Sequence, residues 1–300
     1  MNSEYHNPVL LNKCIEGLSV KKDGVYVDAT FGGGGHSKKI IEILINGRLY
    51  AFDQDEDAWE NTIDDDRFVL IKENFSHLKK ALNDNGVEKV DGLLADLGVS
   101  SHQFDTAERG FSTRFDSELD MRMNRSVQIT ASDVLNTYQE NELKKIFFEY
   151  GELRNALRIS KAIVTARKKK KIKTVNELKN ELKAFAMQGK ENQFYAKVFQ
   201  ALRIEVNDEL NALKELLMQS TRVIRSKGRL VVISYHSLED RLVKNFMRSG
   251  NFEGGAEKDL YGNRSTPFLP LNNKPWVPSA LEIGSNPRAR SAKLRIAEKK

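Results

Sequence analysis

Residues 25–57 read VYVDATFGGGGHSKKIIEILINGRLYAFDQDED, and this stretch decides the fold that we predict. A short apolar run at its start ends on Asp28, and four glycines, residues 32–35, follow it. A segment with helical spacing of apolar residues comes next, Gly47 ends it, and a second apolar run ends on Asp53. This order predicts a strand, a glycine turn, a helix and a second strand, with a carboxylate at the tip of each strand.

The glycine turn and Asp53 together predict a site for a nucleotide-containing cofactor. Glycines let the backbone approach a ligand closely, and an acid at the second strand tip can bind the two hydroxyls of a ribose. The dinucleotide fingerprint G-x-G-x-x-G is not completed, because its third glycine falls on Ser37 or Lys38. The S-adenosylmethionine (SAM) pattern has an acid followed by glycines at alternate positions. Here those places hold Asp28, Thr30, Gly32 and Gly34. A tight turn without a ligand is the alternative.

Two further apolar runs extend the predicted sheet. Residues 68–71 form the third strand and are followed by Asn74 and Phe75, whereas residues 90–95 form the fourth, which ends on Asp96. In an open parallel sheet the carboxyl ends of the strands share one edge, and ligands bind there. Phe75 has two interpretations, a contact with an adenine ring or simple core packing.

The alternation of strands and helices stops after the fourth strand. Residues 108–194 show helical spacing without a strong strand, and the pattern resumes with a long helix over residues 198–223. A fifth strand is predicted at residues 229–234, and residues 291–297 alternate like a final edge strand. The predicted architecture is a discontinuous α/β domain, residues 1–107 and 195–300, with an all-helical domain, residues 108–194, inserted into it.

Charge is distributed unevenly along the chain. Residues 1–107 hold 11 Lys/Arg and 19 Asp/Glu, a net charge of −8. Since the whole chain has a net charge of +6, residues 108–300 carry +14. The densest basic run consists of Lys168, Lys169, Lys170 and Lys171. This asymmetry favours a polyanionic partner that the second part contacts through its phosphates, and an ordinary solvated loop is the alternative.

Composition excludes several classes of protein. A chain of 300 residues with 40% hydrophobic content can bury a real core. The start of the sequence lacks the layout of a signal peptide, and no apolar run approaches the ~18 residues of a membrane span. A single cysteine, Cys14, excludes an internal disulfide and a cysteine-built metal site. We therefore expect a cytoplasmic protein with no membrane segment and no metal.

The string YHSLEDR, residues 235–241, follows the fifth strand. Ser237 and Asp240 have the spacing of a capping box, so helix capping explains part of the string. His236 and Arg241 are not explained in that way.

A series of longer strings closely resembles the bacterial 16S rRNA (cytosine-N4)-methyltransferase family, known as RsmH or MraW. The match extends from His6 to Arg295 in a fixed order. The strings are HNPVLL, DATFGGGGHS, DLGVSS with a following Gln, RGFS, LDMRM, FQALRIEVN, GRLVVISYHSLEDR and NPRARSAKLR.

The resemblance implies a class I SAM-dependent methyltransferase domain split by a helical insertion that recognises rRNA. The SAM contacts that the resemblance implies are Gly34, Gly35, His36, Asp53, Phe75, Asp96 and Gln103. The acid and the first glycine of the turn, Asp28 and Gly32, complete the predicted cofactor site. The family commonly has His-Pro and an arginine before the FQALRI string, where this chain has Gln193, Phe194 and Lys197. Ser117 and Glu118 replace a Gly-Pro before LDMRM. No substrate role is carried over to those positions.

The implied reaction is methylation of the exocyclic N4 amine of a cytosine in the decoding centre of 16S rRNA, within the small ribosomal subunit. S-adenosyl-L-methionine is the donor, and Asp96 is the predicted catalytic acceptor of a hydrogen bond from the amine. Substrate contacts are predicted for Arg109, Tyr235, His236, Arg241, Lys168, Lys169, Lys170 and Lys171, with base stacking on Tyr235 or Phe111. The alternatives are an N-methyltransferase acting on DNA or a small molecule, and a non-catalytic SAM-binding RNA assembly factor.

Overall fold

The computed structural model describes residues 8–255 and 266–300. His6 and Asn7, from the first family string, lie outside these residues. The chain forms two compact units, which we call the sheet unit (Met1–Gly98 with Leu210–Lys300) and the helical unit (Val99–Glu209). The predicted insertion, residues 108–194, is too short at both ends. Its boundary was misplaced because the apolar side chains of residues 194–206 pack into the core of the helical unit.

The sheet unit contains seven strands. In chain order they are β1 (Val25–Asp28), β2 (Arg48–Phe52), β3 (Phe68–Ile71), β4 (Val90–Asp96), β5 (Ile224–Ser234), β6 (Phe268–Pro270) and β7 (Lys293–Lys299). Their order across the sheet is β3-β2-β1-β4-β5-β7-β6. The first five run parallel, and β7 is antiparallel to β5 and β6. The strand order reverses between β1 and β4, which is the position where open α/β sheets bind ligands.

Helices cover both faces of this sheet. They are α1 (Leu11–Leu18), α2 (Gly35–Ile41), α3 (Glu56–Trp59), α4 (Leu78–Asp84), α11 (Glu209–Val223), α12 (Ser237–Ser249) and α13 (Ala280–Ser285). Side chains alternate between two buried clusters along each central strand; Leu93 and Ala95 belong to one, and Leu94 to the other. A strand buried on both faces is nearly continuously apolar, which is why these strands were visible in the sequence.

The helical unit is built from α5 (Ser101–Asp105), α6 (Ala131–Thr137), α7 (Glu140–Glu149), α8 (Ala156–Arg167), α9 (Val175–Leu182) and α10 (Glu191–Asn207). Its described residues contain no extended strand, only the isolated bridge between Glu118 and Thr174. One cluster of buried apolar side chains joins these helices. Nowhere in the described ranges, 8–255 and 266–300, does a helix have the length and apolar character needed to cross a bilayer.

The predicted helix over residues 198–223 is wrong, because the chain forms two helices there. Helix α10 ends at Asn207, and Asp208 adopts the left-handed conformation with φ 49°. Asn and Asp tolerate this region better than most residues, so a helix can end here although the apolar spacing continues.

The final strand is not the edge strand that its alternation predicted. β6 pairs with β7 on the side away from β5, so β7 lies inside the sheet. β6 was missed because it has only three residues and ends in proline, which is tolerated at an edge. Helix α2 also ends earlier than predicted, at Ile41, since residues 45–47 direct their N–H groups to the Lys22 carbonyl.

Candidate active site

Three carboxylates lie at neighbouring strand tips of the sheet unit. Asp28 ends β1, Asp96 ends β4, and Asp53 follows β2. β1 pairs with β2 on one side and with β4 on the other, so the three tips lie side by side at the switch point. The structure therefore brings together the three acids that the sequence placed at one edge.

Asp28 fixes the turn from inside the protein. Its side chain is 1% exposed, and it accepts hydrogen bonds from the Thr30 N–H at 3.1 Å and the Ser37 hydroxyl at 2.7 Å. Burial raises the pKa of this carboxyl, while the Ser37 and Thr30 hydrogen bonds oppose that shift. Asp28 thus holds the glycine turn to the start of α2, and a direct contact with the cofactor stays a prediction.

The glycine turn is open on one side and crowded on the other. Gly32 and Gly34 have φ values of 51° and 74°, a region that favours glycine. A Cβ at Gly32 would meet no heavy atom within 4 Å, whereas a Cβ at Gly35 would lie 2.1 Å from Pro8 Cγ. Gly35 is therefore needed for the approach of Pro8, and Gly32 leaves room for a ligand.

Asp53 is tied to this turn. Its Oδ2 accepts from the Gly32 N–H at 2.8 Å, and its Oδ1 accepts from the Asp55 N–H at 2.9 Å. Burial raises the pKa of Asp53 from 3.8 to about 6, although both hydrogen bonds oppose the shift. The carboxylate is oriented by two amides and remains partly exposed, as a ribose ligand requires.

His36 is buried beside the turn. Its Nε2 lies 3.2 Å from the Val9 carbonyl and donates to it, and burial lowers its pKa. Its Nδ1 is 3.8 Å from Asp96 Oδ2, beyond a direct hydrogen bond. His36 thus bonds to the segment before α1 and lies next to the acid of β4.

Asp96 is the centre of the hydrogen-bonded group. Its Oδ1 accepts from the Tyr235 hydroxyl at 2.8 Å, and its backbone N–H donates to Thr30 Oγ1 at 2.7 Å. Burial raises the pKa of Asp96 to about 6, and His36 and Tyr235 act in the opposite direction. The Thr30 bond explains the departure from the glycine pattern, since threonine ties β1 to β4. This role of Thr30 was not predicted, although the missing glycine was its signal in the sequence.

Two predicted SAM contacts have structural explanations of their own. Phe75 begins the 3-10 helix Phe75–His77 and packs, partly exposed, against the core of one sheet face, so its contact with adenine stays a prediction. Gln103 belongs to the helical unit, where Ser100 and Gln103 form the capping box of α5. Its Oε1 accepts from the Ser100 N–H at 3.0 Å.

Arg109 is held inside the helical unit. It is 2% exposed, and its guanidinium donates to the carbonyls of Arg122 at 2.9 Å and Met123 at 3.2 Å. Backbone acceptors account for the guanidinium in this geometry, and the predicted substrate contact stays a prediction. Phe111, 4% exposed, likewise belongs to the core of that unit and offers no face for base stacking.

His236 caps α12, and this corrects the capping box predicted at Ser237 and Asp240. The His236 side chain accepts from the Glu239 N–H, and the Glu239 carboxylate accepts from the Tyr235 N–H at 2.9 Å. Asp240 instead pairs with Arg295, whose Nε lies 2.7 Å from Oδ1. The capping box accounts for Nδ1 of His236, and the substrate contact predicted for this residue stays a prediction.

The remaining substrate candidates lie at the surface. Arg241 is exposed on α12, and its role stays a prediction. Lys168, Lys169 and Lys171 are exposed between α8 and α9, whereas the Nζ of Lys170 lies 2.5 Å from Glu177 Oε1. Glu177 also accepts from the Lys173 N–H at 2.7 Å. The basic run is thus partly neutralised at Lys170.

The site of the sheet unit fits SAM. The open side of Gly32 gives room next to the backbone, and the oriented Asp53 carboxylate lies beside it. Asp96 and Tyr235 occupy the next strand tips. These positions are the ones in which the fold binds an adenosine-containing ligand.

Comparison with known proteins gives the same assignment. A family model described as the MraW methylase family matches residues 3–300. A protein from Christiangramia forsetii named "Ribosomal RNA small subunit methyltransferase H" is 57% identical over 99% of this chain and 98% of its own. One of the same name from Flavobacterium johnsoniae is 56% identical, with the same coverage. The solved structure of an rRNA methylase from Streptococcus thermophilus is 12% identical, covers 96% of this chain and 93% of its own, and has a TM-score of 0.39.

The fold and the site define a SAM-dependent methyltransferase of class I, which confirms the predicted fold and cofactor. The chain belongs to the MraW methylase family.

Proposed function

We propose that this protein transfers a methyl group from SAM to the exocyclic N4 amine of a cytosine in the decoding centre of 16S rRNA. The names of its relatives support small-subunit rRNA as the substrate. The observation that carries the chemistry is the Asp96–Tyr235 pair at the strand tips next to the open glycine turn. An rRNA substrate also supports a cytoplasmic place of action.

The glycine turn and its neighbours would hold the cofactor. Asp53 would accept hydrogen bonds from the ribose hydroxyls, the open side of Gly32 would admit the ligand next to the backbone, and Phe75 would pack against the adenine. When bound, SAM supplies an electrophilic methyl group, so the protein needs to align the amine and exclude water.

Asp96 receives the amine. The lone pair of N4 is delocalised into the cytosine ring, so a hydrogen-bond acceptor must draw the amine towards a tetrahedral shape and hold its proton afterwards. Tyr235 occupies Oδ1 of Asp96, which leaves Oδ2 for the amine. With a pKa of about 6, Asp96 is mostly ionised at neutral pH and is still basic enough to accept a proton.

Nitrogen is the favoured acceptor because the alternative ring carbon requires different chemistry. Methylation at C5 of cytosine in the usual way needs a cysteine thiolate that adds to C6. The only cysteine, Cys14, is buried in α1, and burial raises its pKa well above the ordinary value, with Asp96 and Asp28 adding to the shift. A protonated, enclosed thiol does not perform that step.

The RNA contact is assigned to the basic parts of the chain. The target amine is paired and stacked in a duplex, so the base has to be flipped out or single-stranded. Exposed Lys168, Lys169 and Lys171 of the helical unit supply charge for phosphate contacts, with Lys170 weakened by its pair with Glu177.

Tritium transfer from labelled SAM tests this function. The full-length protein is incubated with purified small subunits, naked 16S rRNA, DNA, or no acceptor. We expect label in small-subunit RNA and none in DNA. Label in DNA alone would indicate a DNA methyltransferase, and SAM binding without any transfer would indicate a non-catalytic factor.

A further inference from the structure

A cavity of about 270 Å³ lies in the sheet unit between α12, the segment after β6, and β7. Its cationic wall consists of Lys244 and Arg248 on α12 and Arg295 on β7, and its rim includes Asn272 and Asn273. The volume is several times the ~30 Å³ that one water takes up in the liquid, so the cavity admits a phosphate group with its solvent. Neither the cofactor site nor the basic run of the helical unit includes any of these residues.

The charge of this cavity is positive and largely uncompensated. Lys244 and Arg248 are one helical turn apart, so they share a face of α12. Within residues 8–255 and 266–300, neither has a carboxylate partner. The nearby carboxylate of Asp240 already has two cations, Arg295 Nε at 2.7 Å and Lys293 Nζ at 3.4 Å. It therefore does not neutralise the α12 pair.

The cavity is formed before any ligand arrives. The Asn272 side chain donates to the carbonyls of Lys274 at 2.8 Å and Leu294 at 3.2 Å, and it accepts from the Ile296 N–H at 3.0 Å. The Leu271 N–H donates to the Ile296 carbonyl at 2.9 Å. These bonds fix the rim to β7, and the Asp240–Arg295 pair fixes β7 to α12, so little ordering remains for binding.

The position of the cavity relates it to the RNA substrate. Helix α12 begins at Ser237, directly after Tyr235 and the His236 cap. At a rise of ~1.5 Å per residue, Lys244 and Arg248 lie roughly 10 and 17 Å along the helix from its start. On β7, Arg295 pairs with Val232, two residues before the end of β5. The cations thus lie back from the catalytic edge, too far along α12 to touch the reacting amine.

We propose that this cavity binds a backbone phosphate of the RNA that lies outside the target nucleotide. The inference rests on the proposed function, because RNA is the phosphate source to which it commits. The guanidinium of Arg248 can donate two parallel hydrogen bonds to phosphate oxygens, and the ammonium of Lys244 supplies a compact positive charge. Together they suit a phosphate group. A free phosphate ion would use the same chemistry, and the experiment separates the two sources.

The test compares Lys244→Gln/Arg248→Gln with Lys79→Gln/Lys80→Gln, which removes the same charge from exposed positions on α4. Arg295 is left intact because its pair with Asp240 is structural. Binding of fluorescent single-stranded RNA carrying the target sequence is measured by anisotropy over a range of salt concentrations, and SAM binding by calorimetry. Equilibrium dialysis with labelled inorganic phosphate forms a separate arm.

We expect the cavity variant to bind RNA roughly tenfold more weakly, with a log–log salt slope smaller by about 1.4, while SAM affinity is unchanged. The α4 control should have an RNA affinity and a salt slope closer to the wild-type values than those of the cavity variant. RNA affinity and slope equal to those of the α4 control would overturn the proposal, and loss of phosphate binding alone would assign the cavity to a free ion. Since binding is read without turnover, failure of the wild type to methylate RNA would contradict the proposed function separately.

Discussion

Two residues of the site, Asp53 and Asp96, are suited to ligand binding and proton transfer but lower the stability of the native state when they are ionised. Burial raises the pKa of each from 3.8 to about 6 in the native state, whereas the unfolded chain ionises them near 3.8. The native state then binds more protons between these pH values, so the contribution of both groups to stability falls as pH rises from about 4 to 6. At neutral pH the protein keeps two poorly solvated carboxylates, which is expected where ligand binding and proton transfer need them.

The pH dependence of turnover tests the role of Asp96. Activity should fall as pH decreases through about 6, since protonated Asp96 cannot accept from the amine. Tyr235→Phe removes a hydrogen bond that favours the carboxylate, so the acidic limb should move to higher pH. The measurement is kcat against pH for both proteins.

Tyr138→Phe is the matched control for this measurement. Tyr138 also donates to a carboxylate at 2.8 Å, that of Glu205, but in the helical unit. Its profile should coincide with the wild type. An unchanged acidic limb in Tyr235→Phe would remove Asp96 from the role of acceptor.

Asp53 gives a second prediction at this scale. A charged hydrogen-bonded ligand contributes roughly 1.5–3 kcal/mol, so Asp53→Ala should weaken SAM binding about 10–100-fold in a calorimetric titration. Exposed Asp64→Ala is the control and should bind as the wild type does. A thermal melt checks that the Asp53 variant is folded. Equal affinity in a folded variant would show that the ribose is held elsewhere.

At the scale of elements, the cap of α12 connects this helix to Tyr235 of the active site, because Glu239 of the capping box accepts from the Tyr235 N–H. His236→Ala should lower the free energy of unfolding by about 1 kcal/mol, because the helix loses an acceptor for the Glu239 N–H. His236→Asn restores a capping oxygen and should recover stability and methyl transfer together. Denaturant unfolding and tritium transfer are the two measurements.

The outcome distinguishes a capping role from the substrate contact that the sequence suggested for His236. If His236→Asn is as stable as the wild type, binds SAM normally and yet transfers no methyl group, the imidazole itself acts on the substrate.

The strands were predictable because acids and glycines bracket short apolar runs. The bounds of β3 coincide with the prediction, β2 ends one residue before Asp53, and β1 and β4 each include the acid at their tip. Where local signals were weak, tertiary packing decided the result. The break at Asp208 left the apolar spacing intact, and β6 offered only three residues.

At the scale of the whole molecule, the basic part of the chain, residues 108–300, is expected to contact the RNA. Changing Lys168, Lys169, Lys170 and Lys171 to Gln should weaken RNA binding and lower the log–log salt slope by roughly 0.7–0.9 per lost contact. Lys170 should contribute least, since it is paired with Glu177. Anisotropy at several salt concentrations measures the slope, and SAM affinity should not change.

Lys144→Gln/Lys145→Gln on α7 is the control in the same unit for the loss of two exposed charges, half the number that the four-lysine variant loses. If the four-lysine variant keeps the slope of this control, the run is a solvated loop.

The positions of the three acids were predictable from the sequence, whereas the contacts between the other residues of the site were not. Asp28, Asp53 and Asp96 were placed correctly by the rule that parallel strands end at one edge. The burial of Arg109 was not predictable, because nothing in the local sequence shows that its guanidinium is enclosed by carbonyls from residues 122 and 123. The link from Tyr235 to Asp96 joins positions 139 residues apart and depends on the pairing of β4 with β5.

The central claim, methylation of cytosine at nitrogen, is tested most directly by the identity of the product. RNA from methylated small subunits is digested to nucleosides and separated by chromatography against N4-methylcytidine and 5-methylcytidine standards, with wild type and Cys14→Ser. We predict N4-methylcytidine from both proteins, because Cys14 is a buried, protonated thiol in α1. A 5-methylcytidine product, or a folded, SAM-binding Cys14→Ser protein without activity, would contradict the account.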